Sequence, residues 1–558
     1  MPWARAIGWL FDERLSNRLV PRWLFLRALG LIYFSAFFAL AFQLLGLIGP
    51  NGILPAGPYL EQVAHALGHS ERLWFAPTLL WWSSGSHMLI TLTWLGMIAS
   101  LLLVLNLWPR AMLVICFISF LTFIAAAQDF SSYQSDGMLL EAGFISFFFA
   151  PPGFRPGLGA AHPPSRASLF LLQWEWFRIY FQSGAVKLPS GDPEWRNFTA
   201  MDEYYQNGPL PTWIGWYVQH LPHWFHAFTA GATLAMELGL VWMLFLPRRS
   251  RIVCFFIVTL WQIPVILTAN YAFLNYLVLC LGVLLLDDPF IEKFLPAKWR
   301  RAAEFDSAKT SEASGQATSS FQPSEVRPPD AEFGSAGGAE ALVAGHSFGY
   351  RISGHWRAAK LAFSAVMLSW IAYATTVELV WMFVRLPLPT SPVATLEPFR
   401  IANQYGLFAV MTRGRYEIEF QGSNDGQSWT PYEFRYKPQA LNEAPRIYAP
   451  FQPRFDWNLW FASLTNWREA PIVPNTLLRL LGNDKDVLAL FRGNPFPESP
   501  PRQVRAVLWQ YWFSSLAEKR ATGNWWRREY LGLYAPTLER ESDGSIQIRE
   551  LPNLPPRE

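Results

Sequence analysis

Polar side chains stand close together in an otherwise apolar stretch of the chain, residues 169–188. Glu175, Arg178 and Gln182 are three and four residues apart, so a helix places them on one face, where Glu175 and Arg178 can pair. Lys187 follows near the end of the stretch. An amine held away from water is more easily deprotonated and can act as a base, whereas an amine at a helix end can reach the lipid headgroups. The sequence leaves both roles open for Lys187.

Further acidic residues fall in neighbouring apolar stretches. Asp136 and Glu141 flank the start of a short apolar run, where Asp136 can cap the helix that follows. Glu237 lies without a basic neighbour, so we expect a partner on another helix, such as Arg178. Because an unpaired charge in a bilayer is costly, such residues are site candidates, although a purely structural ion pair is the alternative. The candidate intramembrane polar site comprises Asp136, Glu141, Glu175, Arg178, Gln182 and Glu237, with Lys187 as the candidate catalytic residue.

No motif for a metal or nucleotide accompanies these residues. His220, His223 and His226 are spaced three apart, but Pro222 interrupts a helix there and no carboxylate or cysteine stands at ligand spacing. We interpret them as interfacial histidines and expect no metal. The chain also lacks the Gly-x-x-x-x-Gly-Lys and His-Glu-x-x-His patterns, and its one Gly-x-Ser-x-Gly match, GHSFG at 345–349, falls in the predicted cytoplasmic loop. The sequence therefore predicts no cofactor and does not support a common hydrolase, ATPase or metalloprotease.

The elements that position these residues follow from the distribution of apolar side chains. The chain has 558 residues, of which 51% are hydrophobic and 16% charged, and its net charge is +3. This composition excludes a disordered chain or one that coats nucleic acid. A helix needs about 20 apolar residues to span a bilayer. We predict about nine spans on this criterion, at 23–48, 88–107, 111–127, 138–150, 169–188, 225–246, 252–268, 271–286 and 359–383.

Basic residues alternate from loop to loop and predict the orientation of these spans. Four arginines precede the first span, whereas the loop 49–87 holds only Arg72. The alternation continues and places the N-terminus in the cytoplasm. The predicted domains are a cytoplasmic N-terminus (1–22), a membrane domain (23–286), a cytoplasmic loop (287–358) with a disordered linker at 303–345, a last span (359–383) and an extracytoplasmic domain (384–558).

The positions of the cysteines indicate the cellular compartment of the protein. Cys116, Cys254 and Cys280 all fall in predicted spans, so the outer domain uses no disulfides. A eukaryotic secretory protein of this size more often has some. This favours a bacterial inner membrane over the endoplasmic reticulum.

The outer domain has a mixed pattern. Residues 415–420 alternate between apolar and acidic side chains, which is typical of a strand. The Asn-Asp-Gly turn at 424–426 predicts a hairpin, with 429–436 as the returning strand. Residues 477–491 and 502–518 are predicted helices. The predicted fold class is a polytopic α-helical membrane protein with a C-terminal mixed β-sheet and helix domain outside the cytoplasm.

Several separated segments, in order along the chain, resemble the lipase maturation factor family. They are YQSDGMLLE at 133–141, FQSGAVKL at 181–188, WR at 195–196, YYQNGPLP at 204–211, APFQPRFDW at 449–457 and NPF at 494–496. The resemblance covers most of the chain outside 303–345. It implies a membrane protein that helps secreted lipases to fold, and animal members reside in the endoplasmic reticulum membrane with the C-terminal region in the lumen.

The membrane half is also similar to the fold shared with vitamin K-dependent carboxylases. In that group a segment of the form Phe-x-x-Gly-x-x-Lys-Leu carries a lysine proposed as the catalytic base. Phe181, Gly184, Lys187 and Leu188 match it. This resemblance implies a base role for Lys187, although the maturation factors are not known as carboxylases.

Two functions follow as hypotheses. The first is a non-enzymatic folding factor whose outer domain holds secreted client proteins, such as lipases, on apolar surface. The second is a membrane enzyme, or a protein that binds a lipid or quinone, with its polar site around Lys187. Membrane lipid is a partner in both, and nucleic acid in neither. Candidate client-binding residues are Trp457, Trp460, Trp467, Trp525 and Trp526, for which core packing is the alternative.

Overall fold

The structure is a computed structural model that describes residues 10–11, 15–131, 133–295 and 339–554, and for 339–357 the backbone only. The predicted linker at 303–345 lies outside these residues up to position 338. The membrane half is helical. Its principal helices are α1 (Leu19–Ala41), α2 (Ser86–Val104), α3 (Pro109–Ile124), α4 (Gln134–Phe149), α5 (Arg166–Lys187), α6 (His223–Leu238), α7 (Arg248–Thr268), α8 (Leu274–Gly282) and α9 (Ala339–Trp381).

Shorter helices join them, and most lie in the loops between the principal helices. They are Ser16–Arg18, Leu44–Ile48, Ala56–Ala66, His69–Phe75, Leu79–Trp81, Gln128–Ser131, Pro193–Arg196, Tyr204–Asn207, Trp213–Gln219, Leu240–Phe245, Val283–Leu285, Asp288–Ile291, Ser391–Ala394 and Glu397–Phe399.

In the described part of the chain, five segments are long and apolar enough to cross a membrane. They are Ser16–Ala41, Ser86–Val104, His223–Phe245, Arg248–Thr268 and Ala358–Trp381. The predicted multi-pass helical class agrees with these helices, but nine spans are not confirmed. Helices α3 and α4 have 16 residues each. At 1.5 Å per residue such a helix is about 24 Å long, less than the roughly 30 Å of a hydrocarbon core.

The N-terminus of helix α1 is capped by a residue that is distant in the sequence. The backbone N–H groups of Leu19 and Val20 donate to the carboxylate of Asp288 at 3.0 and 2.8 Å. A carboxylate there satisfies free N–H groups and interacts favourably with the helix dipole. Arg22, which is buried, donates to the carbonyls of Leu158 and His162. These bonds connect the start of the helix to loops that lie far along the chain.

The C-terminal domain contains one antiparallel sheet of five strands. Its strands are β1 (Arg415–Ser423), β2 (Thr430–Pro431), β3 (Gln503–Phe513), β4 (Trp526–Arg540) and β5 (Ile546–Glu550), in the order β2-β1-β3-β4-β5. Helices α10 (Arg454–Ser463) and α11 (Ile472–Leu481) pack on the sheet. The short helix Lys485–Leu488 follows α11, and α12 (Leu516–Thr522) connects β3 to β4. The predicted mixture of sheet and helix is therefore present.

The predicted strand 415–420 and its hairpin are confirmed. The carboxylate of Asp425 accepts bonds from the N–H groups of Ser428 and Gln427 and so forms the turn. These bonds lower the pKa of Asp425. The returning strand is shorter than predicted, because only Thr430–Pro431 pairs with β1 as a strand.

The predicted helix at 502–518 is wrong, because most of it is strand β3. This strand lies between β1 and β4, which pair with its two edges. Its adjacent residues Val507 and Leu508 point to opposite faces and are both buried, so both faces are covered at this point. Val507, Leu508 and Tyr511 are all buried, although they do not alternate. A strand covered on both faces has no period of two, and its pattern is therefore easily taken for a helix. The predicted helix at 477–491 corresponds to the end of α11 and to Lys485–Leu488.

Candidate functional site

A buried ion pair joins helices α4 and α5. Glu141 and Arg178 contact each other through one carboxylate oxygen and Nη2, and both side chains have no exposed surface. Arg178 also donates from Nη1 to the carbonyl of Asn403 at 2.6 Å. The predicted pair of Glu175 with Arg178 is not formed, because Glu141 on the facing helix takes that position. A pair between facing helices links them, which a pair within one helix does not do.

The second oxygen of Glu141 receives donors from the chain beyond the last span. The backbone N–H of Asn403 donates to it at 3.1 Å, the Asn403 amide at 3.0 Å and the Tyr405 hydroxyl at 2.9 Å. Gln182 accepts a bond from the Tyr405 N–H at 3.0 Å. Glu175 is fully buried nearby, and its carboxylate has no hydrogen-bond partner among the described residues.

A second buried pair connects α5 with α6. The ammonium of Lys187 lies 2.9 and 3.2 Å from the two carboxylate oxygens of Glu237. It also donates to the carbonyls of Ser183 at 3.1 Å and Leu407 at 3.0 Å, and it lies 4.8 Å from the ring centroid of Trp195. The predicted Glu237–Arg178 pair is therefore wrong. The ammonium therefore has acceptors from α5, from α6 and from the chain after the last span, and it links these three elements.

Gly184 allows these helices to approach each other. A Cβ at this position would lie 2.7 Å from the Cβ of Glu237, which is closer than real contacts allow. Small residues at helix interfaces in membranes permit such close packing. The Gly-x-x-Lys spacing therefore has a geometric reason: Gly184 brings α6 close, and Lys187 one turn later reaches its carboxylate.

A third pair joins the start of α4 to the C-terminal domain. Arg454, on α10, donates from Nη1 and Nη2 to the two oxygens of Asp136, both at 2.7 Å. It also donates to the carbonyl of Phe130 at 2.6 Å. The prediction that Asp136 caps α4 is wrong: the cap position is Tyr133, which makes no side-chain cap bond. The Asp136 carboxylate instead accepts hydrogen bonds from Arg454.

One short segment of the C-terminal region reaches both pairs on α5. We call residues 403–408 the anchor segment. Besides the bonds above, its Leu407 N–H donates to the Ser183 hydroxyl at 3.3 Å, and its Gly406 N–H to Gln134 at 3.1 Å. The Phe408 carbonyl accepts a bond from the Trp195 indole at 2.9 Å. Backbone groups of the anchor segment are thus paired with polar side chains of the bundle, as burial requires.

A cavity of about 340 Å³ lies beside the Lys187–Glu237 pair. Helices α5, α6, α7 and α8 and the anchor segment enclose it. Most of its wall is apolar or aromatic, including Phe228, Met236 and Phe408. It lies near the lower end of the 300–1,000 Å³ range of small-molecule sites.

The predicted tryptophans occupy two kinds of position. Trp457 and Trp526 are buried, and Trp457 packs edge-on against Tyr133 with ring centroids 5.3 Å apart. Trp460, Trp467 and Trp525 are half-buried. For Trp457 and Trp526 the structure thus shows core packing.

The histidines and cysteines do not form a cluster. His220 bonds to two carbonyls, His223 lies beside Asp202, and His226 is buried. Within the described ranges, no group of three or more His, Cys, Asp or Glu side chains is arranged to hold a metal ion. Cys116, Cys254 and Cys280 are free and buried in helices.

Sequence reasoning missed Asn403, Tyr405 and the carbonyl of Leu407. They lie in a loop without periodicity, 262 residues from Glu141 in the case of Asn403. Arg454 stands inside one of the family-like segments, 449–457, so that segment was its only signal. The acidic residues in apolar runs, such as Glu141 and Glu237, indicated that partners existed but not where they lie.

The helices, the sheet domain and the buried pairs between them define a multi-pass membrane protein with a C-terminal domain fixed to its helical bundle. Residues 20–293 match the model of the lipase maturation factor transmembrane domain, and residues 401–536 match that of the lipase maturation factor C-terminal domain. The chain therefore belongs to the lipase maturation factor family.

Curated relatives agree with this assignment. The chain is 31% identical to lipase maturation factor 2 of Rattus norvegicus, over 94% of this chain and 84% of that protein. It is 32% identical to lipase maturation factor 2 of Gallus gallus, over 93% and 81%. It is 30% identical to lipase maturation factor 1 of Bos taurus, over 95% and 90%. No solved structure matches this chain.

Proposed function

We propose that this protein assists the maturation of secreted lipases and does so without catalysing a reaction itself. The observation that carries the proposal is the similarity to lipase maturation factors over more than nine tenths of the chain. The charged groups of the intramembrane site also support it. Glu141, Lys187 and Asp136 are paired to partners that hold the C-terminal domain in place, as expected of a scaffold.

The C-terminal domain faces the compartment that the clients enter, and the N-terminus faces the cytoplasm. Loops at one end of the bundle contact this domain, through residues such as Phe130, Trp195 and Asn270. The loops 128–137 and 189–224 hold a single basic residue, Arg196. Loops poor in Lys and Arg lie outside the cytoplasm. The absence of cysteines from the outer domain favours a bacterial inner membrane.

The client is a non-native lipase with extended segments, and it binds at a groove of about 560 Å³ whose wall is mainly polar and suits the backbone of such a segment. We call it the client groove; it lies between residues 464–469 and 552–554. Trp467 and the partly exposed Leu464 line it. Strand β5 ends just before it and is the exposed end strand of the sheet, with Ile548 58% exposed. An end strand of this kind can pair with an added extended segment.

The function is tested by co-expressing a secreted lipase with this protein in a host that has no relative of it. We expect more lipase activity per mass of secreted lipase when the full chain is present, and no change for a secreted phosphatase. Equal specific activity of the lipase with and without the chain would overturn the proposal.

The client groove is tested in the same assay with Trp467→Ala. Trp429→Ala is the matched control, because both tryptophans are half-buried in the same domain and lie under an arginine, at 4.6 Å from Arg468 and 3.9 Å from Arg505. We expect lipase activation to fall several-fold for Trp467→Ala and to stay near wild type for Trp429→Ala. Equal lipase activation by both variants would contradict binding of the client at the groove.

A further inference from the structure

The cavity beside Lys187 is open to the bilayer on one side. Helix α6 packs on α5 and α7 packs on α8, and the cavity lies between these two layers. At its mouth Phe228 is 65% exposed, and Pro264 of α7 is exposed as well. Both helices are among the segments able to cross a membrane. The mouth therefore faces lipid, and a ligand can enter from the membrane.

The charged groups of the cavity wall are already neutralised. Among the described lining residues, only Lys187 and Glu237 are charged, and they pair with each other. The remaining hydrogen bonds of the ammonium go to carbonyl groups. A carboxylate or phosphate entering here would find no free cation, and a ligand amine no free carboxylate. Burying such a charge without a partner is expensive, so the cavity selects against charged heads.

Neutral hydrogen-bonding groups remain available on the same wall. The Tyr180 hydroxyl lines the cavity, its residue is only 5% exposed, and among the described residues it lies near the Gln262 side chain without meeting hydrogen-bond geometry. Gln262 and Asn275 also line the cavity and are buried. A buried hydroxyl whose contact with a neighbour falls short of a good hydrogen bond points to a group that is supplied from outside the chain.

We propose that this cavity binds one chain of an uncharged membrane lipid, with a hydroxyl or ester group of the lipid at Tyr180 and Gln262. The aromatic and aliphatic wall contacts the acyl chain. The volume accepts one chain rather than two, so a second chain would stay in the bilayer. This site goes beyond the client-folding function and does not depend on the identity of the client.

The test uses two photoactivatable probes that share a diazirine-bearing acyl chain: a monoacylglycerol and the corresponding fatty acid. The purified full-length protein in nanodiscs is irradiated with each probe, and labelled peptides are mapped by mass spectrometry. We expect the monoacylglycerol to label peptides of α6 and α7, with labelling reduced several-fold by excess unlabelled monoacylglycerol but not by the fatty acid. Equal or stronger specific labelling by the fatty acid would overturn the proposal that the lipid headgroup is uncharged.

Variants locate the site. Thr233→Phe fills the cavity near its mouth, whereas Leu260→Phe is the matched control, since Leu260 is 65% exposed on α7 and does not line the cavity. We expect labelling to fall several-fold in Thr233→Phe and to persist in Leu260→Phe. Unchanged labelling in Thr233→Phe overturns the site. If Thr233→Phe fails to fold, Tyr180→Phe decides, because it removes only the hydroxyl: weaker labelling supports the site and unchanged labelling overturns it.

Discussion

Arg454 holds Asp136 through two parallel bonds of 2.7 Å, and these residues are 318 positions apart in the chain. Both side chains are almost fully buried, at 2% and 1% exposure. The pair joins the first turn of α4 to the first turn of α10, and so the helical bundle to the C-terminal domain. A bidentate pair of arginine and carboxylate fixes orientation as well as distance.

Removal of Arg454 is expected to be strongly destabilising. Arg454→Ala leaves the Asp136 carboxylate buried without its cation, which costs about 3–5 kcal/mol. The double variant Asp136→Asn/Arg454→Met should recover much of this loss, because no charge is left unpaired. Thermal unfolding of the detergent-solubilised chain, followed by tryptophan fluorescence, measures both. Arg446→Ala is the control: that side chain is 65% exposed in its pair with Glu443, so its removal should cost less than about 1 kcal/mol. Similar losses for Arg446→Ala and Arg454→Ala would contradict this assignment.

Variants of the second pair separate a positioning role from a base. Lys187→Met should lower the melting temperature, because the Glu237 carboxyl is left buried without its cation, and Lys187→Met/Glu237→Gln should restore most of it. If Lys187 only positions the helices and the anchor segment, the double variant also keeps its lipase activation. A double variant that melts like wild type but has lost all activation would instead show that the amine takes part in chemistry.

The close approach at Gly184 predicts a steric effect. Gly184→Ala places a methyl group 2.7 Å from the Cβ of Glu237, so α6 must shift away. Such overpacking typically costs 1–3 kcal/mol. Gly493→Ala serves as control, because its Cβ would meet no described atom within 4 Å. The melting temperature should fall for Gly184→Ala alone, and a tolerated Gly184→Ala would show that the two helices are less tightly packed than described.

Asp456 predicts a pH dependence of stability in the C-terminal domain. Burial raises the pKa of its carboxyl from 3.8 to about 6, although the N–H groups of Lys437 and Tyr436 donate to it. Between these two values the folded state binds more protons than the unfolded state, so this group makes stability fall as the pH rises from about 4 to 6. Asp456→Asn keeps an acceptor for both N–H groups without the charge. It should therefore raise the melting temperature at pH 7.5 and have little effect near pH 4.

Asp425 provides a comparison of opposite sign. Hydrogen bonds from Ser428 and Gln427 lower its pKa, so its contribution to stability is present above the pKa of the unfolded chain and is lost on acidification. Asp425→Asn should therefore lower the melting temperature at pH 7.5 rather than raise it. The same direction of change in both variants would contradict the assignment for Asp456.

The local part of this architecture could be predicted from the sequence. Apolar runs located the helices, and the alternation at 415–420 located β1, because both patterns are properties of neighbouring residues. Strand β3 was missed because adjacent residues such as Val507 and Leu508 are both buried, so its side chains show no alternation. The polar membrane residues were recognised as a group, since a charge in an apolar run stands out by itself.

Their partners could not be predicted in the same way. Glu175 and Arg178 have the spacing of a helical pair, yet Arg178 turns to Glu141 on another helix. Glu237 pairs with Lys187, 50 residues away, and Asn403 reaches Glu141 across 262 residues. The choice among several possible partners depends on helix packing and on the path of the loop after the last span. Neither of these can be predicted from sequence periodicity.

The position of the anchor segment has a consequence for biogenesis. Residues 403–408 follow every span, so they emerge from the ribosome only after α4 and α5 have entered the membrane. Until then Glu141 lacks its donors from Asn403 and Tyr405, and Lys187 lacks its acceptor at Leu407. The bundle is thus completed last, by a segment that follows the last span. A chain interrupted before this point would leave polar groups unsatisfied within the membrane, and quality-control proteases could distinguish it from the finished protein.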